Sequence, residues 1–290
     1  MVGEAEMSAV RREEVPFWAH ILPFVVFFFI AHLLGDDTPW AIAAGAAAAV
    51  GALAWQKPWR DAPTWAHVAP FALWIALMSG LGDPGGVNYA IRTAGGAAIL
   101  LAVRPWRGYG PLRLRNVPLA LAVGLAIFLV WVGPESDAVK GAAPGLAAFY
   151  ERFLVGPIPA GFAKMREPLE AYPYLPGVTG WPLFWVHMFG TSVVIAVIEE
   201  FFWRGFLYRW LCGRNFLEVP LTRLDLPMFI AVAAFFGIEH AEWFAGIVCG
   251  LAFGWVVLRT GDIWAAILAH GITNFLLGLH VLRTDSWWFW

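Results

Sequence analysis

Three short stretches of the chain put ionisable side chains where apolar ones are expected. VIEEFFWRGFLY (197–208) carries Glu199, Glu200 and Arg204; FFGIEHAEW (235–243) carries His240 between Glu239 and Glu242; WAAILAHGITNF (264–275) carries His270 and Asn274. A charged side chain at mid-membrane costs about 2.5–3.5 kcal/mol or more, so such residues point to function unless they neutralise one another. On a helix, Glu200 and Arg204 share a face and can form an ion pair, whereas Glu199 is turned about 100° away and need not share that arginine. One carboxylate can then be structural while its neighbour stays free for proton transfer. His240 follows Phe236 by one turn, and flanking carboxylates fix an imidazole tautomer and raise its basicity. His270 and Asn274, four residues apart, point the same way and can hold one oxygen atom, as an oxyanion hole requires.

Together these groups make a carboxylate base, a histidine and a donor pair, contributed by three helices. A carboxylate beside a histidine can deprotonate a held water, and a His/Asn pair can stabilise the oxyanion formed when that water attacks an amide carbonyl. The chemistry this points to is peptide-bond hydrolysis without a covalent intermediate. No serine or cysteine stands as an obvious partner for His240 or His270, and no HExxH is present. A zinc site built from Glu199, His240, Glu239 or Glu242 and His270 is the metal-dependent alternative.

The elements that must position these residues are membrane helices. Of the 290 residues 60% are hydrophobic and 14% charged, with a formal net charge of −2. A soluble domain carries nearer a quarter charged residues, so the fold class expected is all-α, a polytopic transmembrane bundle. Nothing in the charge points to a nucleic acid. Cys212 and Cys249 lie in or beside apolar segments and read as small buried hydrophobes.

Apolar runs of about 17–25 residues cross a 30 Å hydrocarbon layer. Candidates stand near 17–34, 39–55, 65–81, 88–103, 117–132, 181–211, 227–241, 243–258 and 262–280. Eight or nine crossings follow, the seventh short and packed against the eighth. The first run, after Arg11 and Arg12, is long for a signal peptide and ends in HLLGDD without a cleavage pattern, so it is expected to be retained as an anchor. Basic residues such as Lys57, Arg60, Arg104, Arg107, Arg209, Arg214 and Arg259 recur in alternate loops, which places the N-terminus inside. Many tryptophans, among them Trp40, Trp55, Trp106, Trp181 and Trp264, stand near span ends as interfacial anchors. Three regions are expected: N-terminal transmembrane helices over 1–132, an interfacial amphipathic helix and loop over 133–180, and a catalytic transmembrane core over 181–290.

The motifs EExxxR, FxxxH and HxxxN, standing as Glu199-Glu200 to Arg204, Phe236 to His240 and His270 to Asn274, resemble those of the type II CAAX prenyl endopeptidase family. This is the CAAX protease and bacteriocin-processing family of intramembrane glutamate proteases. Each motif alone is weak, but order, spacing and placement on apolar helices match together over roughly 181–280. The resemblance implies that Glu199 and His240 activate the hydrolytic water and that His270 and Asn274 form the oxyanion hole. It implies that Glu200, Arg204 and Phe236 support the site, and that no cofactor or metal is required. The implied partners are the lipid bilayer and a membrane-associated protein or peptide cut near its C-terminal tail, and no nucleic acid. Composition and the absence of a targeting signal point to a bacterial inner membrane. A non-catalytic scaffold or regulator of the same fold is the competing reading, and a transporter using the carboxylates as proton relays a more distant one. Against a transporter, no inverted repeat or pair of broken helices stands out.

Overall fold

The computed structural model describes residues 62–81, 85–155, 174–240 and 242–289. Among them the elements are helices and no strand occurs. α1 (Ala62–Gly80), interrupted in sequence by Pro70, belongs to one unit that ends at Gly82. Everything from Asp83 onward forms a second compact unit, in which the three motifs lie.

In the second unit the long helices are α2 (Gly86–Val103), α3 (Val117–Val132), α6 (Trp181–Cys212), α8 (Trp243–Thr260) and α9 (Ile263–Thr284). These five are long and apolar enough to cross a membrane. Two short helices, α4 (Asp137–Ala142) and α5 (Pro144–Phe153), fill part of the stretch expected to lie at the interface. α7 (Leu226–Ile238) has only 13 residues. At 1.5 Å per residue it reaches about 20 Å, short of the ~30 Å hydrocarbon layer, as expected for the seventh segment. The apolar part of α1, Ala62–Met78, is at the lower limit of length for a span, and the expected spans at 17–34 and 39–55 lie outside the described residues.

α7 packs on α8 through an unusually close backbone approach. A Cβ on Gly250 would stand 2.8 Å from Ala233 Cα, a distance real Cβ atoms do not tolerate, so glycine is required where the two helices cross. α3 and α9 run side by side in the same direction. Asp262 caps α9 through Trp264 N (3.1 Å), and its other oxygen accepts from Asn116 Nδ2 (2.9 Å) and Arg113 N (2.9 Å) just before α3 begins. Further along, Thr273 Oγ1 of α9 donates to Gly124 O of α3 (3.0 Å). α2 lies against α6, where buried Arg92 donates to Tyr174 Oη (3.2 Å) and stacks over the Tyr89 ring at 4.7 Å.

α6 is not a uniform helix. Two π-helical segments, Gly190–Ile195 and Phe201–Leu207, bracket one α-helical turn, Ala196–Glu200, that carries both glutamates. A π turn widens the helix and takes carbonyls off the regular ladder, so other donors must satisfy them inside a membrane. Asn274 Nδ2 reaches Thr191 O (2.9 Å) in the first segment; Arg209 Nη1 (3.1 Å) and Tyr109 Oη (3.2 Å) reach Gly205 O in the second.

Candidate active site

Glu200 is fully buried, and its Oε1 receives two donors: Arg204 Nη1 at 2.8 Å and His270 Nδ1 at 3.0 Å. Arg204 also donates through Nη2 to Gly250 O (3.1 Å) and lies over the Phe236 ring at 4.5 Å. One guanidinium thereby touches α6, α7 and α8, while its carboxylate partner holds α9. Charge neutralisation, a π face and a carbonyl together offset the cost of taking the pair out of water.

Glu199 is held differently, although Oε2 of Glu200 is likewise buried without a hydrogen-bond partner among the described residues. The Glu199 side chain is 13% exposed, and its Oε2 is buried with no hydrogen-bond partner among the described residues. His270 Nε2 faces that oxygen at 3.9 Å. This is too long for a direct hydrogen bond and is a separation that one water about 2.8 Å from each atom would bridge. Because His270 Nδ1 points at a carboxylate, that nitrogen is the donor, and Nε2 is the atom turned toward Glu199.

The His270 ring is held from below by Phe253, stacked at 5.0 Å with 20° between planes, and from the side by Phe236 at 6.0 Å. His240 lies just beyond the end of α7, against Phe236 (ring centroids 5.0 Å), with its Nδ1 2.8 Å from Phe236 O. A carbonyl can only accept, so Nδ1 carries the proton and Nε2 is left as the outward atom. Trp131 of α3 also meets the His240 ring, with centroids 5.4 Å apart, edge to face. Phe236 is therefore the ring around which Arg204, His240 and His270 are arranged. Asn274 lies one turn beyond His270 and spends one amide hydrogen on Thr191 O, which leaves its second for another acceptor.

The sequence-derived residues thus fall into one neighbourhood with unequal connections. Glu199, Glu200, Arg204 and His270 form a polar network, Phe236 is its aromatic hub, and Asn274 braces α9 on the first π segment. The polar contact to Glu199 comes from His270, while the contacts of His240 are Phe236 and Trp131. Among the described residues no group of three or more His, Cys, Asp or Glu side chains is placed to hold a metal ion.

Sequence reasoning passed over four contributors: Phe253, the carbonyls of Gly250 and Thr191, and Gly271. A Cβ on Gly271 would stand 2.5 Å from Ser192 O, so only glycine lets α9 lie this close to the π segment. Its signal was available as the glycine inside the apolar HGITN run.

An all-helical integral membrane protein with an ionisable centre buried between helices is the class that this fold and site define. Residues 181–276 match the family model described as type II CAAX prenyl endopeptidase Rce1-like, a family of peptidases. All three motifs lie inside that stretch, which is about one third of the chain. No curated protein and no solved structure matches the chain.

Proposed function

We propose that this protein is an intramembrane endopeptidase that hydrolyses a peptide bond near the C-terminus of a membrane-associated substrate. The observation that carries the proposal is the uncommitted, buried oxygen of Glu199 facing His270, within the stretch that matches a peptidase family. In this reading Glu199 removes a proton from a water held near His270 and His240, and the water oxygen bonds to the scissile carbonyl carbon. His240, with Nδ1–H tied to Phe236 O, offers Nε2 as an acceptor that orients the water. His270, protonated in this reading on both nitrogens, with Nδ1–H held by Glu200 and Nε2–H free to donate, and the second amide hydrogen of Asn274 stabilise the oxyanion. The C–N bond then breaks, and Glu199 returns the proton to the leaving amine. Every proton removed from the water is accounted for, and no metal is needed to balance the step.

Residues 181–290 would act as the catalytic core, 1–132 as an N-terminal membrane bundle and 133–180 as an interfacial link. A bacterial inner membrane suits this composition. The test is cleavage of a proteome-derived peptide library by the full-length protein in lipid nanodiscs, read by mass spectrometry. Glu199→Gln should abolish cleavage while the protein unfolds at the wild-type temperature. Undiminished cleavage by that variant would refute the assignment, and no cleavage by the wild type would favour the scaffold reading.

A further inference from the structure

The site contains a contributor from outside the family-matched stretch. Trp131, at the end of α3, is 7% exposed, and its indole Nε1 is buried without a hydrogen-bond partner among the described residues. An N–H left unpaired in a low-dielectric interior is costly, and such a group calls for an explanation. Its ring stands 5.4 Å from that of His240 at 75°, so His240 is packed against both Trp131 and Phe236, with Phe236 O fixing Nδ1. Trp131 is anchored independently of His240, because α3 is locked to α9 by Asp262–Asn116 (2.9 Å) and by Thr273–Gly124 (3.0 Å). A donor that is fixed, buried and adjacent to a half-buried histidine has the properties of a group kept for a ligand's acceptor atom.

Resting on the peptidase reading above, we propose that Trp131 is a working member of the site: its ring positions His240, and its indole N–H binds a backbone carbonyl oxygen of the substrate segment. A peptide entering a membrane-embedded cleft carries carbonyls that must find donors there, since lipid and water-poor surroundings supply none. The indole N–H can only donate, which matches a carbonyl and rejects an amide hydrogen. The N-terminal helices would then contribute directly to substrate binding.

The experiment compares wild type, Trp131→Phe, Trp131→Ala and Glu199→Gln as full-length proteins in nanodiscs. Each is tested on the library peptide that the wild type cleaves fastest, with thermal unfolding measured alongside. Phenylalanine keeps the aromatic wall and deletes the donor. Trp131→Phe should unfold at the wild-type temperature and lose about tenfold in kcat/KM, chiefly through KM, as expected for one lost hydrogen bond to substrate. Trp131→Ala should lose kcat as well, because His240 is released. Kinetics of Trp131→Phe equal to wild type, with Glu199→Gln inactive, would overturn the donor role and leave the peptidase assignment standing. A Trp131→Phe loss explained entirely by early unfolding would overturn it too. An active Glu199→Gln, or a wild type that cleaves no peptide, would overturn the peptidase assignment, and the substrate role of Trp131 with it.

Discussion

Glu199 and Glu200 are neighbours in sequence with opposite commitments in space. Glu200 gives Oε1 to an arginine and a histidine in a site that excludes solvent, whereas Oε2 of Glu199 faces His270 Nε2 at 3.9 Å without a hydrogen bond. The helical offset between the two makes this division possible, and the four-residue spacing to Arg204 selects Glu200 for the pair. Removing Arg204 should therefore act on stability. Arg204→Met leaves Glu200 buried and uncompensated, with an expected cost of about 3–5 kcal/mol, read by thermal or denaturant unfolding in detergent. The wild-type unfolding midpoint in that variant would show that the pair does not brace the bundle.

At the scale of elements, the π segments of α6 explain why two polar side chains on distant helices are where they are. The residues Gly190-Thr191-Ser192 open the first segment, and its Thr191 carbonyl is satisfied by Asn274 from α9. Gly271 permits that approach by leaving Ser192 O room. Gly271→Val should push α9 off α6, break the Asn274–Thr191 bond and carry His270 away from Glu200. The expected outcome is loss of at least 100-fold in peptide cleavage, the scale of a lost oxyanion donor, with a lowered unfolding midpoint. Wild-type cleavage by Gly271→Val would contradict the packing argument. The ionic pair, the one-turn spacings of FxxxH and HxxxN, and the shortness of α7 were all legible in the sequence, because each follows from helical period and burial cost. The π segments were not, since local hydrogen-bond register has no compositional signature. Nor was the His270–Glu200 contact, which depends on how α9 packs on α6.

At the scale of the whole molecule, the family match stops where the structural unit does not. Residues 181–276 carry the motifs, yet α3, before that stretch, lies along α9 and closes one side of His240. A sequence reading that divides the chain at 132 and 180 cannot see this, because the contacts between Asn116 and Asp262 and between Gly124 and Thr273 join residues more than 140 positions apart. A fragment beginning at Trp181 is accordingly expected to expose the apolar face of α9 and to lose cleavage activity. Co-expression with residues 1–155 should restore it if α3 can dock in trans. Full activity of the isolated fragment would show that the N-terminal helices are dispensable to the site.

In the proposed reaction Glu199 is the proton acceptor of the hydrolysis. The most direct test of this role is the comparison of protein C-termini in membranes of cells carrying wild type and Glu199→Gln at equal abundance, by mass spectrometry of C-terminal peptides. A defined set of proteins should have tails shortened only in the wild type. Identical C-termini in the two membranes would contradict that role.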